Sequence, residues 1–315
     1  MKIAISACLL GEKVRFDGGH KRDRFITDQL QKFASFLPFC PEAKAFGTPR
    51  PSLRLIAEQT GTTLRCNKTH NDLTENLRIQ NEKELSMLQT TPLSGIIFKS
   101  KSPSCGFGSA KIYLPNGFSE GKDDGLFVRT CKEAFPLLPM EEESRLQDPW
   151  LRENFIMQLF AYDRFEQLKA SLPTMQDLVR FHTASKFLLQ AKNEVNYRTL
   201  GNIVANHDKE PFHSVLERYE YLYKKTIAVK SSLKKTRNVL EHMAGFFKKE
   251  LHSVEKEMVH LLIQEYAQGI IPLITPVSAI LMLAKKYDTR YLLDQYFLEP
   301  YPKSLALRSS LGSER

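Results

Sequence analysis

The chain has no C-x-x-C pair, which excludes a zinc ribbon and a thioredoxin-like redox motif. Its five cysteines are an odd number, and no export signal accompanies them. The short apolar run at the N-terminus leads directly into a polar segment containing Gly11, not into a small-residue cleavage site. A disulfide framework is therefore not expected. No stretch approaches the ~20 apolar residues that span a bilayer. Internal repeats and low-complexity segments are lacking too. These absences point to a cytoplasmic globular protein in which any metal site gathers its ligands from distant parts of the chain.

What is present fits two domains. The chain has 315 residues, 42% of them hydrophobic and 26% charged, enough for two separate cores. The formal charge is +9, with about +3 in residues 1–150 and about +6 beyond them. Such a surplus favours polyanionic partners, although a solvated basic surface gives the same count.

Residues 3–7 (IAISA) and 95–98 (GIIF) read as short buried strands. Residues 26–37 and 71–89 carry helical apolar spacing, and residues 53–64 read as a strand with its turn. Pro38-Phe39-Cys40-Pro41-Glu42 reads as an extended turn between two prolines. Strands alternating with helices predict a mainly parallel, Rossmann-like α/β domain over residues 1–138. Residues 139–150, rich in proline and acids, read as a linker. Residues 151–315 read as an all-α domain, with helices over 151–168, 175–206, 215–268 and about 277–287.

Three cysteines stand just past the predicted strands or in the turn that replaces one: Cys8, Cys40 and Cys105. In open α/β sheets ligands bind outside the carboxyl ends of the strands, so these thiols are candidates for one shared site. Structural zinc takes four protein ligands. An iron–sulfur cube on three cysteines leaves one iron open, which suits a Lewis acid more than an electron carrier. Each cysteine alone also reads as a buried small apolar residue. Cys131, in a helical stretch, is expected to be structural, and Cys66 lies in a predicted polar loop. Near the three cysteines stand Glu42, Asp17, Ser100, Ser102 and Ser104, candidates for acid–base and orienting roles. The plainer readings are a tight turn at Asp17-Gly18-Gly19, a first-turn helix acid for Glu42, and a local turn or cap for Ser104.

Ser6-Ala7-Cys8-Leu9-Leu10-Gly11, Val14-Arg15-Phe16-Asp17-Gly18, Cys40-Pro41-Glu42, Pro49-Arg50-Pro51 and Lys101-Ser102-Pro103-Ser104-Cys105-Gly106 together resemble the thiouracil desulfurase family. The resemblance covers residues 1 to about 135. It implies a [4Fe-4S] cluster on Cys8, Cys40 and Cys105, with Glu42 and Ser102 catalytic. Asp17, Arg50, Ser100 and Ser104 are then substrate-binding candidates. Leu151-Arg152-Glu153-Asn154-Phe155, Asn238-Val239-Leu240-Glu241-His242-Met243 and Gly245-Phe246-Phe247-Lys248-Lys249 resemble the helical domain fused to this module in tRNA 4-thiouridine desulfidases. That likeness implies a thiolated uracil in tRNA as substrate, free thiouracil being the alternative. Lys234, Lys235 and Arg237 are the candidate RNA contacts. The segment after Glu42 is shorter than the family pattern, and Lys192 stands where a histidine is more usual. A metal-bearing RNA-binding protein without catalysis, or an iron–sulfur redox sensor, are the rival classes.

Overall fold

The computed structural model describes residues 1–59 and 61–309. It divides into two compact units, Met1–Gln147 and Asp148–Arg315. Residues 310–315, the end of the expected helical domain, lie outside the described residues.

The first unit is built on a four-stranded sheet of order β2-β1-β5-β8. Its strands are β1 (Lys2–Ser6), β2 (Ser35–Phe39), β5 (Gly95–Phe98) and β8 (Met140–Glu142), and all three pairings are parallel. Ile3, Ala4, Ile5, Ile96, Ile97 and Phe98 are fully buried, as expected of continuous apolar strands covered on both faces. Phe39, Phe98 and Phe127 pack edge to face, with Phe39 5.1 Å from Phe127 and 5.7 Å from Phe98. A second sheet has the order β4-β3-β6-β7. It contains β3 (Leu53–Glu58), β4 (Gly61–Cys66), β6 (Ala110–Tyr113) and β7 (Ser119–Asp123). Only its β3–β6 pairing is parallel. Helices α1 (Pro41–Phe46), α2 (Thr74–Gln89) and α3 (Leu126–Ala134) complete the unit. The α/β expectation holds, with a second, mostly antiparallel sheet added.

Three expectations for the first unit and its boundary need correction. Residues 139–150 are not a linker: Met140–Glu142 pair with β5, and the unit boundary falls after Gln147. The expected helix over 26–37 is a short wide turn at Phe25–Gln29 and a tight one at Leu30–Lys32, followed by β2. Pro38 and Phe39 belong to that strand, and Pro41 opens α1 at its first turn, where a missing N–H costs nothing.

The second unit is all-helical: α4 (Pro149–Ala170), α5 (Met175–Lys192), α6 (Glu194–Ala205), α7 (Phe212–Ala228), α8 (Leu233–Ala244), α9 (Ser253–Ala267), α10 (Ile274–Lys286) and the single turn α11 (Arg290–Leu293). The expected helix over 175–206 divides at Asn193. This residue leaves helical geometry and caps α6, its Oδ1 accepting from Asn196 N at 3.1 Å. Likewise Ser232 caps α8 and interrupts the run expected over 215–268. Phe165, Phe181, Tyr219 and Tyr223 form the aromatic centre, with ring separations of 5.2–6.0 Å. No helix among the described residues is long and apolar enough to cross a membrane.

A candidate active site at the carboxyl edge of the parallel sheet

Parallel pairing puts the carboxyl ends of β1, β2, β5 and β8 on one edge. Cys8 follows β1, Cys40 follows β2, Lys99 follows β5 and Glu143 follows β8. Cys105 reaches the same place through the loop after β5. That loop is clamped from below by the start of α3, where Leu126 N donates to Pro103 O at 3.0 Å and Phe127 N to Ser104 O at 3.0 Å. The clamp requires Gly125, because a Cβ there would stand 2.4 Å from the Ser104 carbonyl. Orphan N–H groups of a helix start thus find acceptors in the cysteine loop.

A cavity of about 470 Å³ opens at this edge, lined by Cys8, Cys40, Cys105, Glu42, Arg50 and Ser102 among others. The Ser102 hydroxyl donates to Glu42 Oε1 at 2.7 Å, and its oxygen accepts from the N–H groups of Ser104 (3.1 Å) and Cys105 (3.0 Å). Glu42 sits in the first turn of α1. Its Oε2 accepts from Arg50 Nη2 at 2.9 Å, and the Arg50 and Glu42 side chains are only 5% and 12% exposed. Arg50 Nη1 in turn donates to the carbonyls of Val14 and Gly47, both at 3.0 Å. The pair is therefore fixed in orientation from both partners.

Burial pushes the Cys8 thiol up to about 12, with the neighbouring Cys40 adding to the rise. The Cys40 thiol is pushed up to about 11, again by burial first. Cys105 is raised well above the ordinary range by burial, then by Cys40 and Glu42, while a hydrogen bond with Ser6 acts the other way. Three thiolates here would be desolvated and mutually repelling, so the donor set calls for positive charge between them. Three soft thiol donors lining one cavity fit an iron–sulfur centre.

The remaining candidates separate. Ser100 lines the cavity and donates to Glu143 Oε1 at 2.8 Å. Ser104 is fully buried outside the lining, its hydroxyl without a partner among the described residues. Asp17 is exposed and also outside the lining; its Oδ1 accepts from Gly19 N at 3.0 Å, the tight-turn role. Cys66 ends β4 and Cys131 is sealed in the core on α3. Lys99 and Glu143 are functional-looking residues that sequence reasoning missed. They form an ion pair of which Lys99 lines the cavity, and only the strand-end position of Lys99 past GIIF hinted at it. Lys234, Lys235 and Arg237 are exposed on α8. Lys235 Nζ donates to Lys192 O at 2.8 Å, and Arg237 lies 3.6 Å from Glu241.

Comparison with known proteins agrees with this division. Residues 3–143 match the model of the 2-thiouracil desulfurase family, and residues 186–302 match a family described as a protein of unknown function, DUF1722. The first match falls within the N-terminal unit and the second within the helical unit. The chain is 26% identical over 159 residues to the uncharacterized protein YbgA of Escherichia coli (strain K12), covering 50% of this chain and 94% of that one. It is 29% identical over 126 residues to the uncharacterized protein YbbK of Bacillus subtilis (strain 168), covering 38% and 80%. A solved structure, the [4Fe-4S]-dependent thiouracil desulfidase TudS, is 26% identical over 46% of this chain and 93% of that chain, with a TM-score of 0.37.

Proposed function

We propose that this protein is a desulfidase that exchanges the thiocarbonyl sulfur of a thiolated uracil base for oxygen, with Cys8, Cys40 and Cys105 holding a [4Fe-4S] cluster. The observation that carries the reading is the Ser102–Glu42–Arg50 array opening onto the same cavity as the three thiols. Neither a structural metal site nor a redox sensor needs such an array. When bound, a cluster on three cysteines supplies one iron without a protein ligand, a soft Lewis-acid site suited to thiocarbonyl sulfur.

The chain's own residues supply the proton handling. Each Glu42 oxygen keeps a lone-pair site beyond its present partner, so the carboxylate accepts a proton from water as that water adds to the thiocarbonyl carbon. Ser102, whose oxygen is held by two backbone N–H groups, keeps its own proton on Glu42 and fixes the carboxylate's face. Arg50 anchors the other oxygen. The balance is one water consumed: its oxygen becomes the carbonyl oxygen, its two protons leave with sulfur as hydrogen sulfide, and no electrons are gained or lost.

The substrate in this proposal is 4-thiouridine in tRNA, gripped by the basic surface of the helical unit at Lys234, Lys235 and Arg237. The support is the charge surplus of that unit and the exposure of these three side chains on one helix. A base in folded RNA must be extruded for chemistry, which demands a hold on flanking phosphates. The test is anaerobic reconstitution followed by separate addition of thiolated tRNA and free thiouracil, quantifying sulfide and residual thionucleoside. Sulfide matching the thionucleoside lost from tRNA is expected. Iron-loaded protein that releases no sulfide from either substrate overturns the desulfidase reading. Turnover of free thiouracil alone overturns the tRNA part.

A further inference from the structure

The helical unit holds a cavity of its own, about 60 Å³, lined by Trp150, Glu153, Asn154, Ser231, Thr236 and Arg308 among others. Arg308 is 5% exposed. Its Nε donates to Glu153 Oε1 at 2.8 Å and its Nη1 to Phe297 O at 2.8 Å, but its buried Nη2 has no partner among the described residues. The buried hydroxyl of Ser231 likewise has none. Buried donors are almost always satisfied, and each that is not calls for an explanation. Both residues line the cavity, so an acceptor seated against its wall would satisfy them.

The surroundings specify the acceptor's charge. Helix α8 begins at this cavity: Ser232, Leu233 and Thr236 line it, and Ser232 caps the helix by accepting from Lys235 N. The first-turn N–H groups of such a helix have no intrahelical acceptor and favour an anion. Asn154, in the wall, accepts from the fully buried ammonium of Lys192 at 2.8 Å. Besides burial, Glu153 acts most strongly on Lys192, and Arg308, Lys235 and Lys230 act on it in the opposite sense. Among the described residues Arg308 is the one cation that lines the cavity, and its Nε is paired with Glu153 while its Nη2 is free to bind a further negative group. The volume holds one compact group, not a base or nucleoside.

From this we infer that the cavity at the start of α8 is a binding site for a phosphate-class oxyanion, with Arg308 Nη2, the Ser231 hydroxyl and the first-turn N–H groups of α8 as its donors. The inference stands apart from the proposed chemistry, because it lies wholly within the helical unit and requires no cluster. The anion's source is either a free phosphate or a phosphate of bound RNA.

Trp150 is the only tryptophan of the chain. It lines the cavity and donates from Nε1 to Ser231 O at 3.2 Å. Its fluorescence therefore reports entry directly. The full-length protein is titrated with inorganic phosphate at constant ionic strength, alone and with an RNA oligonucleotide bound. A saturable change is expected, weakened about fivefold in Ser231→Ala and more than tenfold in Arg308→Gln. Should Arg308→Gln fail to fold, Ser231→Ala carries the test, since that hydroxyl has no partner among the described residues. Absence of a saturable change, or the same midpoint in wild type and Ser231→Ala, overturns the site. Competition between phosphate and the oligonucleotide assigns the RNA as source, and independence assigns a free anion; either supports the site.

Discussion

Ser102 donates its hydroxyl hydrogen to Glu42 at 2.7 Å, linking the loop after β5 to the first turn of α1. The two residues stand 60 positions apart in sequence, and each has further anchors, Arg50 for Glu42 and two backbone N–H groups for Ser102. Glu42→Gln and Ser102→Ala are expected to keep iron and lose turnover by ~10²–10⁴-fold, the usual contribution of a general acid or base. Steady-state sulfide release, normalised to bound iron, measures it. A variant that keeps near wild-type turnover has no part in the proton transfers.

The five cysteines divide by position. Cys8, Cys40 and Cys105 line the cavity, whereas Cys66 ends β4 and Cys131 is buried on α3. Single changes to Ser at the first three should abolish the visible absorbance of the reconstituted centre. Cys66→Ser and Cys131→Ala should leave that absorbance in place. Loss of the absorbance in Cys66→Ser would mean a fourth thiol ligand and a closed cube.

Gly125→Ala tests the clamp under the Cys105 loop. The new methyl would meet the Ser104 carbonyl at 2.4 Å, so either the loop or α3 must move. Overpacking of this kind costs about 1–3 kcal/mol. A lower denaturation midpoint together with reduced iron per chain is expected. Unchanged iron loading would show that Cys105 does not depend on the clamp.

Some of this was legible in the sequence. IAIS and GIIF are continuous apolar runs, and they form the buried central strands β1 and β5. Their cysteines, at or just past strand ends, were readable for the same reason. The second sheet was not. Its edge strand β7 is Ser119-Glu120-Gly121-Lys122-Asp123, all exposed, so it shows no apolar alternation. The acidic run at 141–143 reads as a solvated linker, yet Glu141 and Glu142 are buried. Glu142 Oε2 accepts from Phe107 N at 3.2 Å and from the Ser109 hydroxyl at 2.5 Å. Those partners come from about 35 residues earlier, and no local pattern announces them.

The basic start of α8 makes a separate prediction about RNA. Lys234, Lys235 and Arg237 are exposed, and phosphate contacts release counterions on binding. Changing all three to Glu should weaken tRNA binding and flatten its dependence on salt, read as the slope of log affinity against log salt. An unchanged slope would remove this helix from the interface.

Lys192 makes a prediction about stability that needs no substrate. It is fully buried, and burial lowers its ammonium from the ordinary 10.5 to about 7. The unfolded chain therefore holds this proton between about pH 7 and 10.5 while the folded chain releases it. Where the unfolded state binds more protons, stability rises with pH. The Lys192 contribution is thus most unfavourable below pH 7 and is relieved as pH climbs through the window, by at most ~1.4 kcal/mol per unit. Lys192→Met fills a similar volume without a charge, and Asn154 Oδ1 keeps its other donor, Ser231 N, at 2.9 Å. Denaturant unfolding of both proteins at pH 6.5, 8 and 9 reads the difference directly, because all other groups are shared. The methionine variant is expected to gain most, relative to wild type, at pH 6.5 and progressively less by pH 9. A difference that stays constant over this range would mean that Lys192 keeps an ordinary proton affinity, held charged by partners at the α8 cavity.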